Sequence, residues 1–227
     1  MIITSFIIFF KKFISIASNS INMVWLAMVF ILILLLLLAL FLLNFYRNPE
    51  RKIPHGNNIV SPADGKIIGI LKVKSNKIRI NKGFLGKIET LAKDIAKECY
   101  VISIFMSPFD VHVNRAPLDG KIISVKDEKG RYFAAFNLKN SLMNEKNEII
   151  MENKKIGKVK VIQIAGFLAR RIICTVSRGE KVNKGQQIGS ILLGSQVSLI
   201  LPARKIGLIV RAGQRVIGGK TIIASLK

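Results

Sequence analysis

Two cysteines, two histidines and one tryptophan are all that this 227-residue chain holds of those types. Cys99 and Cys174 lack the short spacing of a metal knuckle, so the sequence offers no zinc or other metal site. Two thiols so far apart suit a reducing compartment, and a single disulfide between them stays compatible with the sequence. Aromatic residues make up only 7% of the chain. Its basic stretches therefore lack the interleaved rings of a nucleic-acid groove, which argues against a nucleic-acid partner. Acidic residues are scarce, with 13 Asp+Glu against 36 Lys+Arg and a net charge of +23. Such an excess favours a polyanionic partner such as an anionic membrane surface. The accompanying wealth of Lys, Ile and Asn is equally what an AT-rich genome would impose.

Charge is absent altogether from residues 21–45, "INMVWLAMVFILILLLLLALFLLNF". At 1.5 Å per residue this run spans roughly 37 Å, more than the hydrocarbon core of a bilayer. It predicts a membrane helix or a tight apolar hairpin. The preceding "IITSFIIFFKKFISIAS" is shorter, carries Lys11 and Lys12, and would lie in the interface or form half of a hairpin. Arg47, Arg51 and Lys52 come directly after the run. By the positive-inside rule they put the C-terminal remainder of the chain on the cytoplasmic face of the cell (inner) membrane. The organisation read here is an anchor over 1–46 and a domain over 47–227.

Helical periodicity is scarce beyond residue 46. Short apolar runs are broken by Gly, Asn, Asp and Lys: "GKIIGILKV", "YVISIFM", "GKIISVKD", "GKVKVIQIAG", "RRIICTVS", "VSLILP", "IGLIVRAG" and "KTIIASL". Each reads as a strand. "GKIETLAKDIAKECY" would carry a short helix, and the polar stretch 132–155 a loop. Two echoes occur within the domain. "PADGKII" at 62–68 returns as "PLDGKII" at 117–123. "VSRGEKVNKGQQIGSI" at 176–191 returns as "VRAGQRVIGGKTIIAS" at 210–225. The fold class expected is mainly β, a small barrel or sandwich of two similar halves. The G-x-x-V-x-x-G-x-x-I rhythm resembles the hammerhead, or barrel-sandwich hybrid, of biotinyl and lipoyl carrier domains.

Few residues can do proton chemistry. His55 lies in the linker "RKIPHGNN" and is read as solvated. His112 lies in "MSPFDVHVNRAP", where strand alternation puts Asp110, His112 and Asn114 on one face, opposite Val111 and Val113. Such a polar face would serve water as well as catalysis. Asp64, in "VSPADG", and its twin Asp119 both suit a Pro-Gly turn. In "LLGSQVSLILP" the pair Gly194-Ser195 opens a run that reads as a buried strand, where Gly marks a turn or a close backbone approach.

Taken in order, these stretches resemble the short, archaeal-type phosphatidylserine decarboxylase proenzymes. The resemblance runs through "FYRNPERKIP" (45–54), "VSPADGKI" (60–67), "MSPFDVHVNRAP" (106–117), "NEKNE" (144–148), "QIAGFLARRI" (163–172) and "GEKVNKGQQIGSILLGSQVSLILP" (179–202). It implies that the Gly194–Ser195 bond cleaves itself and that Ser195 becomes a covalent pyruvoyl group. A large chain, 1–194, and a small chain, 195–227, would stay together as a heterodimer. It also implies that the pyruvoyl group forms a Schiff base with phosphatidylserine and releases carbon dioxide and phosphatidylethanolamine, with no metal. Asp64 matches the family's catalytic aspartate, which orients a histidine, and His112 matches the histidine of its D-x-H stretch. Longer bacterial relatives have a second histidine where this chain has Arg115. Arg115 could instead hold the lipid phosphate or carboxylate, and Arg170 and Arg171 are further candidates. The rival readings are a membrane-anchored hammerhead adaptor without catalysis and a membrane-anchored Ser–Lys protease. The adaptor would need a carrier lysine hairpin such as M-K-M, which is missing.

Overall fold

The computed structural model describes residues 2–74, 92–130, 143–166, 171–192 and 195–227. Two units divide at Asn44/Phe45. The first is a single continuous helix, α1, Ile2–Phe45. A hairpin is thereby excluded: nothing in the uninterrupted run of apolar helix formers breaks the hydrogen-bond ladder. Asn22–Phe45 has a mean hydropathy of 3.5 and is long and apolar enough to cross a membrane.

The second unit is mainly β. Its largest sheet has eight antiparallel strands. In spatial order they are β13 (Arg215–Val216), β2 (Gly65–Lys74), β3 (Glu98–Met106), β11 (Ser195–Pro202), β7 (Gly157–Ile164), β6 (Lys146–Asn153), β5 (Gly120–Glu128) and β9 (Lys181–Val182). Two three-stranded sheets accompany it. One is β1 (Asn58–Val60), β14 (Ile222–Leu226) and β12 (Ile206–Leu208). The other is β4 (Val113–Arg115), β10 (Gln187–Ile191) and β8 (Ile172–Cys174).

The sequence echoes are a structural duplication. β13 closes on the first residues of β2 as β9 closes on those of β5, with Val216 opposite Gly65 and Val182 opposite Gly120. Both long strands bulge at the same point, after Ile67 in β2 and after Ile122 in β5. The two halves exchange reciprocal bonds, Val60 N to the Pro117 carbonyl at 2.9 Å and Arg115 N to the Pro62 carbonyl at 2.8 Å. They join where β11 pairs with β7, Leu199 facing Val161. Four glycines of the second echo, Gly179, Gly185, Gly213 and Gly219, have φ between +73° and +96°, a region that L side chains avoid.

Every residue of β11 is buried, as befits the strand at the centre of the duplicated sheet. The core around it gathers Ile67, Ile104, Ile122, Met151, Val161, Val197 and Leu199. Residues 75–91 and 131–142, which cover parts of the expected short helix and polar loop, lie outside the described residues. Within 132–155 the segment Lys146–Asn153 is a strand, because Ile149 and Met151 alternate into the core despite their polar neighbours. Strands β1, β4, β9, β10 and β13 are too short to show a period in the sequence.

Candidate active site

Ser195 is the first residue of β11 and faces Met106, the last residue of β3. Its side chain is fully buried, and its hydroxyl donates to the Met106 sulfur at 3.6 Å. A thioether is a weak acceptor, so this hydroxyl is loosely held. Gly194 lies outside the described residues.

The loop after β3 presents the histidine. Asp110 Oδ2 accepts from both the amide and the hydroxyl of Ser107, each at 2.8 Å, and Oδ1 accepts from Arg215. The loop so tied turns the Asp110 carbonyl onto His112 Nδ1 at 2.8 Å. A carbonyl only accepts, so Nδ1 carries the proton and Nε2 bears the lone pair. That Nε2 is buried and has no hydrogen-bond partner. The imidazole packs on the Phe45 ring, centroids 4.3 Å apart. Burial pushes its pKa below the usual 6.5 and Arg47 adds to this, against the pull of Asp110. The site thus holds a neutral imidazole with an unused basic nitrogen.

Asn114 comes from β4 and is fully buried. Its amide nitrogen meets the same Met106 sulfur, at 3.7 Å, that receives the Ser195 hydroxyl. Gln163 of β7 donates to Asn114 Oδ1 at 2.8 Å and so fixes which way the amide points. Gln163 passes through a gap left by Gly189, where a Cβ would sit 2.8 Å from its amide nitrogen. Its own Oε1 is buried without a partner. A buried polar layer left partly unsatisfied costs stability, and its presence in a β core calls for a functional reason.

Asp64 and Arg115 bond to the segment that leads out of α1. Asp64 Oδ1 accepts from Gly218 N at 2.7 Å, and Oδ2 from Arg51 at 3.0 Å. Burial nevertheless raises its pKa above the ordinary value, and Asp110 raises it further. Asp64 makes no hydrogen bond to His112; the carbonyl of Asp110 takes the orienting position instead. Arg115 donates to Gly185 O at 3.0 Å, to Asn48 Oδ1 at 2.5 Å and to Pro49 O at 3.2 Å. It thereby straps the 48–49 segment to the β unit. His55 is exposed, as read from its linker. Arg171 is exposed and its carbonyl accepts from Leu192 N; Arg170 lies outside the described residues.

The shared face of Asp110, His112 and Asn114 is real in one respect: all three are buried, so it does not serve water. Only Val113–Arg115 is strand, however, and Val111 is buried as well. Gln163, Arg51 and Arg215 are not singled out for the site by the sequence, because each reaches it from a distant stretch of chain; Met106 opens the stretch that holds His112, where nothing marks it as the partner of Ser195.

Comparison with known proteins bears on this arrangement. Residues 38–224 match the family model described as phosphatidylserine decarboxylase. A putative archaetidylserine decarboxylase proenzyme of Methanocaldococcus jannaschii is 43% identical over 186 residues, 82% of this chain and 89% of that protein. A phosphatidylserine decarboxylase proenzyme of Chlorobium phaeobacteroides is 43% identical over 185 residues, 81% of this chain and 78% of its own length. One from Rickettsia bellii is 40% identical over 181 residues, 79% and 72% of the two chains.

Proposed function

The chain belongs to the phosphatidylserine decarboxylase family, and from that premise we propose that it is a self-cleaving precursor. Its mature form removes the carboxyl group of phosphatidylserine, leaving phosphatidylethanolamine and carbon dioxide. The observation that carries this reading is the buried Ser195 hydroxyl, lightly held on the Met106 sulfur that also meets the amide of Asn114, two residues after a buried histidine with a free Nε2.

Self-cleavage starts when the Ser195 hydroxyl loses its proton and Oγ attacks the Gly194 carbonyl. The peptide C–N bond breaks, the nitrogen of residue 195 takes up a proton, and Gly194 is left as an ester. A base removes the Ser195 α-proton, the Cβ–O bond breaks, and Gly194 departs as a carboxylate. The dehydroalanine tautomerises to an imine, and water releases ammonia to leave a ketone. His112 Nε2 is the proton acceptor, and the Asp110 carbonyl keeps it in the right tautomer. The Asn114 amide, aimed by Gln163, is the donor for the oxyanion that develops on the Gly194 carbonyl.

The buried polar layer suits a pyruvoyl group at residue 195, since that position is closed to bulk water and the Asn114 amide meets the same Met106 sulfur. When present, that group supplies an electron sink for the pair released with carbon dioxide. His112 then holds the proton that the substrate carbon must receive. Asp64 serves by holding Arg51 beside Arg115. Arg115 keeps Nε and one Nη1 hydrogen for the lipid phosphate. The Phe45 ring packs on His112 and adds to its apolar cover. Arg47, Arg51 and Lys52 put the C-terminal remainder of the chain on the cytoplasmic face of a cell membrane.

Intact mass of the purified protein beside Ser195→Ala tests the reading. Fragments 1–194 and 195–227, the second blocked and short of ammonia at its start, are expected from the unaltered chain, and one uncut chain from the variant. An uncut Ser195 in protein that decarboxylates phosphatidylserine would overturn the mechanism.

A further inference from the structure

The duplication that builds the fold also duplicates the cleft, and the match is made by the same hydrogen bonds. Asp64 Oδ1 accepts from Gly218 N at 2.7 Å, and Asp119 Oδ1 accepts from Lys184 N at 2.8 Å. The His112 carbonyl accepts from Ile191 N at 3.2 Å, and the Asn57 carbonyl accepts from Leu226 N at 3.1 Å. Ser195 opens β11 opposite the last residue of β3. Gly157 opens β7 opposite Asn153, the last residue of β6. The second half therefore repeats the candidate active site, with Gly157 for Ser195 and Asn57 for His112.

At this repeated position lies a cavity of about 780 Å³. No nucleophile or base of the first site survives there. Gly157 has no hydroxyl and Asn57 no imidazole, and Lys155 Nζ donates to Asn57 Oδ1 at 2.6 Å. Cations take their place: Lys121, Lys154, Lys155, Lys181 and Lys205 line the cavity, against the carboxylates of Asp119 and Glu152 alone. Five exposed lysines against two carboxylates leave the concavity with an excess of positive charge, which a bound anion would offset. Phosphate oxygens accept readily from such donors. Gly157 has nothing within 4 Å of where a side chain would start, so the wall stays open to a ligand.

We infer that this cavity is a second, non-catalytic site that takes the phosphate of a phosphorylated headgroup. The inference stands on the duplicated geometry and the lysines, and not on decarboxylation. Its ligand could be an anionic phospholipid or a soluble phosphate ester, since the ammonium groups read the same oxygens in both.

The test titrates the detergent-solubilised full chain with dihexanoyl phosphatidylglycerol, which carries a phosphodiester and no amine, and separately with glycerol phosphate. Saturable binding is expected, weakened about tenfold or more in Lys121→Gln/Lys181→Gln and in a second pair, Lys154→Gln/Lys205→Gln. A control, Lys93→Gln/Lys97→Gln, removes two exposed charges that do not line the cavity and should bind as the parent does. Binding of the lipid alone would identify a headgroup site; equal binding of glycerol phosphate would identify a site for soluble esters. Intact mass should show unchanged cleavage in all three variants, which separates this result from any failure of the pyruvoyl reading. Absence of saturable binding, or equal loss in the control, would overturn the inference.

Discussion

His112 shows how much of a site's chemistry one side chain can carry. Its Nδ1 is committed to a backbone carbonyl, its Nε2 is bare, and burial holds its pKa below 6.5. Self-cleavage, in which neutral His112 accepts a proton, should therefore be level above pH 7 and fall only on the acid side, below about 6.5. His112→Gln should abolish the proton transfers while leaving the fold, as followed by circular dichroism and turnover. Stability moves the same way. The unfolded chain takes up the proton first, so stability is lost as the pH falls from about 6.5 through the depressed native value. Phe45→Ala opens the ring's apolar cover. It should move the acid limb of the rate profile to higher pH; an unmoved limb would show that Phe45 contributes nothing to the depression. Asn114→Ala should slow self-cleavage by roughly 10²-fold, the usual effect of losing one oxyanion donor, as read by the rate at which the precursor band disappears.

At the scale of the element, the segment following α1 is held by an arginine and by the turn at Gly185. Arg115 reaches Asn48, Pro49 and Gly185, while Ile53 lies over Gly185. A Cβ on Gly185 would overlap the Ile53 side chain, and its φ of +82° is strained for any L residue. Gly157 has almost the same φ, +83°, with open space beside it. Gly157→Ala should therefore cost about 1 kcal/mol, the conformational penalty alone. Gly185→Ala should cost roughly 2–3 kcal/mol, because overpacking adds to that penalty. Midpoints of thermal or denaturant unfolding would compare the two, and equal values would show that Ile53 yields freely.

For the whole molecule, the decisive feature is where the proposed cleavage falls. The segment 195–227 contributes β11 between β3 and β7, β14 between β1 and β12, and β13 against β2. Breaking the chain before Ser195 leaves all of those ladders in place. The two fragments should co-elute in non-denaturing gel filtration in detergent and part only in denaturant. A small chain lost under native conditions would contradict this account of the sheet. The duplication also allows one cleft to hold the proposed catalytic residues and its twin to be lined by lysines. Two equivalent backbones tolerate different side chains, because the core positions that build them are not the ones that line the clefts.

Much of this was readable from local pattern. The uncharged run 21–45, the short alternating strands and the echoes with their turn glycines are properties of neighbouring residues. Period and turn chemistry act within a few positions of the chain. Other features depend on residues far apart in sequence that meet only in the fold. The sequence could not say that β11 joins the halves through β7, or that the anchor is one helix. Nor could it show that Asp64 faces Arg51, or that Asp110 orients His112 through its backbone and not its carboxylate. The bare Nε2 and the Asn114–Gln163 layer are likewise products of burial. Burial sets desolvation and hydrogen-bond partners, and it is decided by strand order and register across the whole sheet.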